Sequence, residues 1–485
     1  MDVNDLKFMS NHNHNEISNF RNKDSIIRIP QLIDRAIELG YNGVSITDHE
    51  ALTGHVKFLQ HYDELRKSGS LPEGFKVCLG NEIYLMSQQE YEEAKTNYES
   101  GVTKYWHFIL LAKDKIGYQQ LKQISSESAW KNYFRQGRQE RVPTIKEELE
   151  SIIGDNKGHL IASTACIGGE LAYLINEYFF LGKEQAKVEL HKFITWMIKV
   201  FGKENVFLEM QPCKDVKVLI NEEEQLHPQV IVNQSIVKLA KAYGLNYQVT
   251  TDSHYLKETD IKIHEAFLNS DEEGKNYRET SEFYKTCYMW DVNELYDNLK
   301  EHLQEEAVVK AFEGTQKIYE MIDTYSLYHE VIVPEDKHVS QKVSIKDVFK
   351  DYYDKYEYIN KFAKSQFNQD REFIRLIENG FLDKKQKFNE ENISRIDKEL
   401  GIVWKVSEKL QQKLSSYYVL VRNIIQEIMW KISYVGPARG SVTGFYTAYL
   451  SNITQVNPIP NNLPEWRHLH DQRPLVKEGL MIVIS

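Results

Sequence analysis

NGVSITDHE (residues 42–50) places a short β-prone run directly ahead of an Asp-His pair. The same arrangement recurs down the chain. Glu82 follows KVCL (76–79), Cys166 follows HLIAS (159–163), and Asp252 and His254 follow NYQVT (246–250). His49, Glu82, Cys166, Asp252 and His254 thus stand just past predicted strands. In a β/α barrel such positions converge on the C-terminal face, where active sites sit. EIYLM (82–86), FILLA (108–112) and NVFLE (205–209) are further strand candidates. Between the runs lie helical patterns: one from Pro30 to Gly40, and amphipathic stretches near 117–126, 169–181, 184–200 and 232–243. Repeated β–α alternation predicts a parallel sheet or a β/α barrel.

Other potential ligands stand outside that pattern. His12 and His14 flank Asn13, and on an extended segment residues two apart point the same way. Asp24 follows ten residues after His14, and His107 leads into FILLA instead of following it. Imidazole, carboxylate and thiolate are the usual donors to zinc or manganese. Each signal alone has a plainer reading. A His-x-His is commonly a surface pair, a buried Cys a small hydrophobe, and the Asp of TDH a helix cap. Recurrence at strand ends is what favours a metal site.

Composition narrows the setting. The chain has 485 residues, 41% hydrophobic and 12% aromatic, enough for several packed cores. Its net charge of -11 excludes nucleic-acid binding by bulk charge. Four scattered cysteines without a CxxC pair fit a reducing compartment. The polar start MDVNDLKFMSN is no secretory signal. No apolar run approaches the roughly 18 residues of a membrane span. A cytoplasmic protein without membrane contact is expected.

HNHNEIS (12–18), ITDHEALTG (46–54), GNEIYL (80–85), WHFILLAKDKIGY (106–118), ASTACIGGEL (162–171) and TTDSHYL (250–256) resemble, in order, the motifs of the PHP (polymerase and histidinol phosphatase) domain. The resemblance spans residues 8–290. It is closest to the copy at the N-terminus of bacterial C-family replicative DNA polymerase III alpha subunits. It implies an α/β fold, a distorted seven-stranded β/α barrel, holding up to three zinc or manganese ions. The ligand positions carried over are His12, His14, Asp24, His49, Glu82, His107, Cys166, Asp252 and His254. The family often places its first Asp where this chain has Arg21, and Asp24 takes that place after a short insertion.

VGPARGSVTGFYTAYL (435–450) resembles the glycine- and serine-rich palm segment of the same subunits, and RIDKELGIVWKV (395–406) and SSYYVLVRNIIQEIM (415–429) resemble the preceding palm helices. Ala438, Val442 and Thr443 depart from the family pattern. Backbone amides of a Gly/Ser turn before a helix can hold phosphate oxygens. Arg439, Gly440 and Ser441 are therefore nucleotide-binding candidates; a tight structural turn is the alternative. The family's Asp-x-Asp, which holds magnesium for nucleotide transfer, should lie beyond. HLHDQRP (468–474) and LVKEGLMIVIS (475–485) carry only Asp471, before a proline and without a partner.

The expected organisation is a PHP barrel over 1–280, then over 281–485 a mostly helical, truncated nucleotidyltransferase-type palm, with a linker at PEDKH (334–338). The expected function is that of the N-terminal portion of a replicative DNA polymerase. The PHP site would act as a metal-dependent 3′–5′ exonuclease or phosphoesterase. DNA primer-template and dNTPs are the expected partners, with a second chain supplying the remaining palm and fingers and magnesium serving polymerisation. The alternatives are a freestanding PHP phosphoesterase and a truncated or exon product. The Asn-, Lys- and Ile-rich composition fits an AT-rich genome, bacterial or phage.

Overall fold

The computed structural model describes residues 6–96, 105–136, 139–220, 223–270, 282–329, 332–334 and 343–465. Asp471, the two C-terminal segments around it and most of PEDKH lie outside these residues. Two compact units are present, Met1–Leu327 and Tyr328–Ser485.

Eight strands build the sheet of the first unit: β1 (Met9–Ser10), β2 (Gly43–Ile46), β3 (Lys76–Met86), β4 (Trp106–Ala112), β5 (Thr144–Ile145), β6 (Leu160–Ser163), β7 (Val206–Met210) and β8 (Asn246–Val249). Seven lie side by side in the order β1-β2-β3-β4-β6-β7-β8, and β5 pairs with the far end of β3. The two ends of this order come together past the strands. Asn13 and Ser253 form a parallel bridge, with His14 N donating to Ser253 O at 2.9 Å. The sheet therefore curls into the distorted barrel that the motif order implies.

Two features differ from a regular alternation. KVCL and EIYLM are one continuous strand, β3, because Gly80 and Asn81 between them stay in the ladder with β4. Strand β4 runs antiparallel to both neighbours, while the other sheet pairs are parallel. Its beginning therefore lies beside the C-terminal end of β6, which explains why His107 precedes its strand.

Every residue of β2, β6 and β7 is buried, as expected where helices cover a parallel sheet. Helix Ile29–Glu38, with Pro30 in its first turn, buries Ile29, Leu32, Ile33 and Ala36. That i, i+3, i+4, i+7 spacing forms one apolar stripe facing the core.

The first unit extends beyond the expected boundary at residue 280. Helices Val292–Lys300 and Glu305–Met321 add Leu295, Leu299, Val308, Ala311 and Phe312 to the same core as the strands. At Gly314 the helix meets β8 so closely that a Cβ would lie 1.8 Å from Tyr247 O. Only glycine permits that approach, so this helix belongs to the barrel.

The second unit has its own core, including Phe349, Phe362, Phe373, Ile396, Leu400, Tyr418 and Phe445. Its described residues form helices, chiefly Asn368–Asp383, Glu390–Leu410 and Leu414–Asn423. Among the described residues of the chain, no helix is long and apolar enough to cross a membrane.

One buried histidine ties barrel stability to pH. His55 is fully buried, with Nε2 donating to Gly80 O at 2.9 Å and Nδ1 lacking a partner. Burial lowers its pKa from 6.5 to about 4, against the small opposing effect of the Gly80 carbonyl. The unfolded chain takes up this proton near pH 6.5 and the folded chain does not. The contribution is therefore complete above pH 6.5 and lost as pH falls towards 4, by about 3 kcal/mol at most. His55→Asn keeps a donor for Gly80 but cannot titrate. Its melting temperature should fall less steeply than wild type between pH 6.5 and 4; parallel slopes would show that His55 is not the linked group.

Candidate metal centre

The loops leaving the strands decide what faces the barrel mouth. Asn13 anchors the segment after β1: its side-chain amide donates to Ser10 O and Ser45 O, and its backbone N–H donates to Thr47 Oγ1. With Asn13 pinned to one side, His12 and His14 project to the other. Their Nε2 atoms lie 3.1 Å apart. Asp48 serves the same scaffold. Its carboxylate accepts Asn15 N, Asn15 Nδ2 and Ser18 Oγ, and Ser18 Oγ also lies 2.9 Å from His14 Nδ1. The Asp of TDH is therefore structural, and His49 is the residue presented to the mouth.

All nine predicted donors meet there. Asp24 Oδ2 is 2.7 Å from His49 Nε2 and 3.6 Å from His254 Nε2. Asn19 fixes this loop by accepting the backbone N–H of Asp24 and Ser25. Glu82 Oε2 is 2.7 Å from His49 Nδ1 and 3.1 Å from His14 Nε2, while Oε1 is 2.6 Å from His107 Nδ1. Asp252 Oδ1 is 3.1 Å from Nε2 of both His12 and His14. Cys166 Sγ lies 3.6 Å from His107 Nδ1. Four overlapping sets keep their donor atoms within 4.8 Å of one another: His14–His49–His254, His12–His14–Glu82, Glu82–His107–Cys166 and Asp252–His254–Cys287.

His49 Nε2 and Asp24 Oδ2 are hydrogen-bonded, but much of the cluster's acceptor capacity is not used in this way. Both oxygens of Glu82, Asp24 Oδ1, Asp252 Oδ1 and His49 Nδ1 are buried without a hydrogen-bond partner. Buried carboxylate oxygens are costly when unsatisfied. Here they are aimed at shared points with neighbouring ring nitrogens, so the donor set fits cations placed among them.

Charge in the cluster is mutual. Burial alone would raise the Asp24 and Glu82 carboxyl pKa values, but His49 and His254 around Asp24, and His107, His49 and His14 around Glu82, hold both well below the usual range. Burial disfavours charge on His12 and His49, yet Asp252 and Glu209 beside His12, and Asp24 and Glu82 beside His49, raise both. Burial, with Asp252 and Glu82 nearby, pushes the Cys166 thiol up. A cation there would reverse that preference, because a coordinated thiol loses its proton.

The backbone is strained around these positions. Ala165, beside Cys166, and Asp252 itself have φ of 57° and 45°, and Glu50, beside His49, has φ of 47°. Left-handed non-glycine residues are uncommon and cluster where a site over-determines them.

Three residues of this neighbourhood were missed in the sequence. Cys287 joins Asp252 and His254, but nothing in TCYMW marks it. Glu50 is buried with Oε2 unpartnered, and burial raises its pKa to about 7 against the pull of Arg141 and Arg21. Glu209 is 2.6 Å from His12 Nδ1. Its signal was present: a lone acid in the apolar strand VFLEM.

In the second unit, Arg439 and Gly440 are exposed on the loop before a short 3-10 turn, which the exposed Ser441 begins. Gly440 has φ of +70°, a conformation that favours glycine. The following helix, Tyr446–Leu450, has five residues. Its first amides are already used: the buried Glu399 carboxylate accepts Tyr446 N, Thr447 N and Thr447 Oγ1, each at 2.8 Å. Arg395 holds that carboxylate at 2.6 Å and also donates to Gly444 O. Any phosphate contact would thus fall to the loop, because this helix start is capped from within.

Residues 10–213 match the PHP domain, and residues 371–476 match the bacterial DNA polymerase III alpha NTPase domain. The probable DNA polymerase YorL of Bacillus subtilis and the DNA-directed DNA polymerase of Bacillus phage SPbeta are each 40% identical over 482 residues, covering 96% of this chain and 35% of the relative. The DNA polymerase III subunit alpha of Aquifex aeolicus is 26% identical over 469 residues, covering 93% and 34%. The chain spans about a third of the length of these curated relatives. The chain thus carries a PHP-domain match followed by a match to the bacterial DNA polymerase III alpha NTPase domain.

Proposed function

We propose that this chain is the N-terminal portion of a C-family replicative DNA polymerase working in the cytoplasm, and that its barrel mouth is a metal-dependent phosphoesterase site acting at DNA 3′ ends. One observation carries the second part: the unpartnered oxygens of Asp24, Glu82 and Asp252 converge with five imidazoles and a thiol. The donors are too many for one four-coordinate ion. His12, His14, Asp24, His49, Glu82, His107, Cys166, Asp252 and His254 would hold zinc or manganese, up to three ions. Such ions supply Lewis acidity, a nucleophile active at neutral pH and a steadied leaving oxygen. The chain's part is to fix the donors before any ligand arrives, through Asn13, Asp48, Ser18 and Asn19, and to keep them dry.

For the polymerase part, DNA primer-template and dNTPs are the substrates, and Arg439, Gly440 and Ser441 would contact nucleotide phosphates from their exposed loop. Nucleotide transfer also needs carboxylates holding magnesium. In this proposal a second chain supplies those carboxylates.

Elemental analysis after desalting should find more than one zinc or manganese ion per chain. His12→Ala combined with Asp252→Ala should lower that number and the melting temperature, since bound metal stabilises the folded state. Trace metal in a folded barrel would defeat the multi-ion reading.

The loaded chain should shorten a labelled DNA primer from its 3′ end, and chelator or His49→Ala should abolish this. Hydrolysis of nitrophenyl phosphate with no attack on primer would favour a phosphomonoesterase. Activity surviving both chelator and His49→Ala would belong to a contaminant.

The purified 485-residue chain should extend no primer with any metal or nucleotide. Extension should appear only on mixing with the chain carrying the missing carboxylates, and Arg439→Ala should then raise KM for dNTPs more than it lowers kcat. Extension by the chain alone would show that polymerising carboxylates lie elsewhere in it.

A further inference from the structure

Glu209 sits at the inward face of β7, level with Gln248 of β8, and is buried. Unlike those of Glu82, both of its oxygens have hydrogen-bond partners. Oε1 faces His12 Nδ1 at 2.6 Å and accepts Thr250 Oγ1 at 2.6 Å and Gln211 Nε2 at 3.3 Å; Oε2 accepts Ser163 Oγ at 2.7 Å. Three of these groups meet Oε1 and one meets Oε2, and each carboxylate oxygen offers about two acceptor sites. The oxygen beside His12 is therefore filled.

Its partners continue across the barrel. Ser163 Oγ accepts Gln248 Nε2, Gln248 Oε1 accepts Asn11 Nδ2, and Asn11 Oδ1 accepts Ser45 Oγ. A belt of polar side chains from β2, β6, β7, β8 and the segment after β1 lies beneath the donor cluster. It meets that cluster at the bond from Glu209 to His12. Both Glu209 oxygens already accept from hydroxyl or amide donors, so at this contact too Glu209 accepts and His12 Nδ1 donates. The lone pair of a neutral His12 ring is then forced onto Nε2, the atom that faces His14 Nε2 and Asp252 Oδ1 at 3.1 Å.

We infer that Glu209 is a positioning residue that fixes the tautomer and ring angle of His12 so that Nε2 is presented to a bound cation. The inference rests on the barrel mouth being a metal site, and it adds a residue outside the nine donors. A plain structural role for the belt makes a different prediction. Losing Ser163 Oγ would then matter as much as losing the Glu209 charge, because both bonds belong to the belt and only one reaches His12.

Glu209→Gln is isosteric but can accept from or donate to Nδ1, so the tautomer is no longer imposed. In the full chain, zinc affinity measured by competition with a chromophoric chelator should fall about 10- to 100-fold for one ion, as for other outer partners of metal-binding histidines. The metal-free melting temperature should stay near wild type. Glu209→Asp, which withdraws the carboxylate from His12 but keeps its charge, should shift affinity in the same direction. Ser163→Ala should leave affinity within a few-fold of wild type. Equal affinity in Glu209→Gln and wild type would overturn the inference. So would an equal loss in Ser163→Ala, or a loss of affinity matched by collapse of the metal-free fold in both Glu209 variants. Absence of zinc from the wild-type chain would instead remove the metal-site reading, and this inference with it.

Discussion

Asp24, Glu82 and Asp252 are desolvated together at one end of a barrel, and the first unit is arranged around making that tolerable. Isolated carboxylates in a protein interior cost several kcal/mol each unless paired. Imidazoles surround these three, but several oxygens are left without hydrogen bonds. The cluster is thus compensated in charge and incomplete in bonding, the condition in which a bound cation contributes to folding as well as to chemistry.

The local backbone follows from that constraint. Side chains from several strands and loops must reach one small volume, and regular geometry does not deliver all of them. Residues 50, 165 and 252 turn into the left-handed region where their chains leave β2, β6 and β8. Strand β4 is reversed, so that its start supplies His107 where β3 supplies Glu82 from its interior and β6 leads into Cys166 from its end. Asn13 spends its side chain on Ser10 and Ser45 so that the residues on either side can face inward.

These features differ in how far the sequence discloses them. Period-two spacing in His12-Asn13-His14 and the recurrence of donors after NGVSI, HLIAS and NYQVT are local patterns, and local patterns can be read directly. The reversal of β4 cannot, because FILLA is equally apolar in either direction; only the awkward place of His107 hinted at it. Asp24 belongs to no pattern and is reached through family resemblance, since Arg21 holds the usual place. The core of the first unit runs past residue 280 for a packing reason. Glu305–Met321 looks like any polar-faced helix until the contact of Gly314 with Tyr247 shows which sheet it covers. In the second unit, the turn at Gly440 was legible, but the capping of Tyr446–Leu450 by Glu399 was not, because those residues are distant in sequence.

Buried acids show most plainly what separates a structural group from a candidate ligand. Asp48 receives two side chains and a backbone amide. Glu378 receives the amides of Lys346 and Val348, Asp370 the hydroxyls of Ser365 and Ser415, and Glu399 two amides, a hydroxyl and Arg395. In each, donors meet the negative charge, and the acid organises backbone or a neighbouring side chain. Among the described residues, the buried acids with unpartnered oxygens are Asp24, Glu50, Glu82 and Asp252, and all four stand at the barrel mouth or beside His49. Burial and charge are common to both groups, so neither property identifies a site. Unfilled acceptor capacity does, because a folded chain with many donors close by has left these oxygens, and not the others, open to a cation.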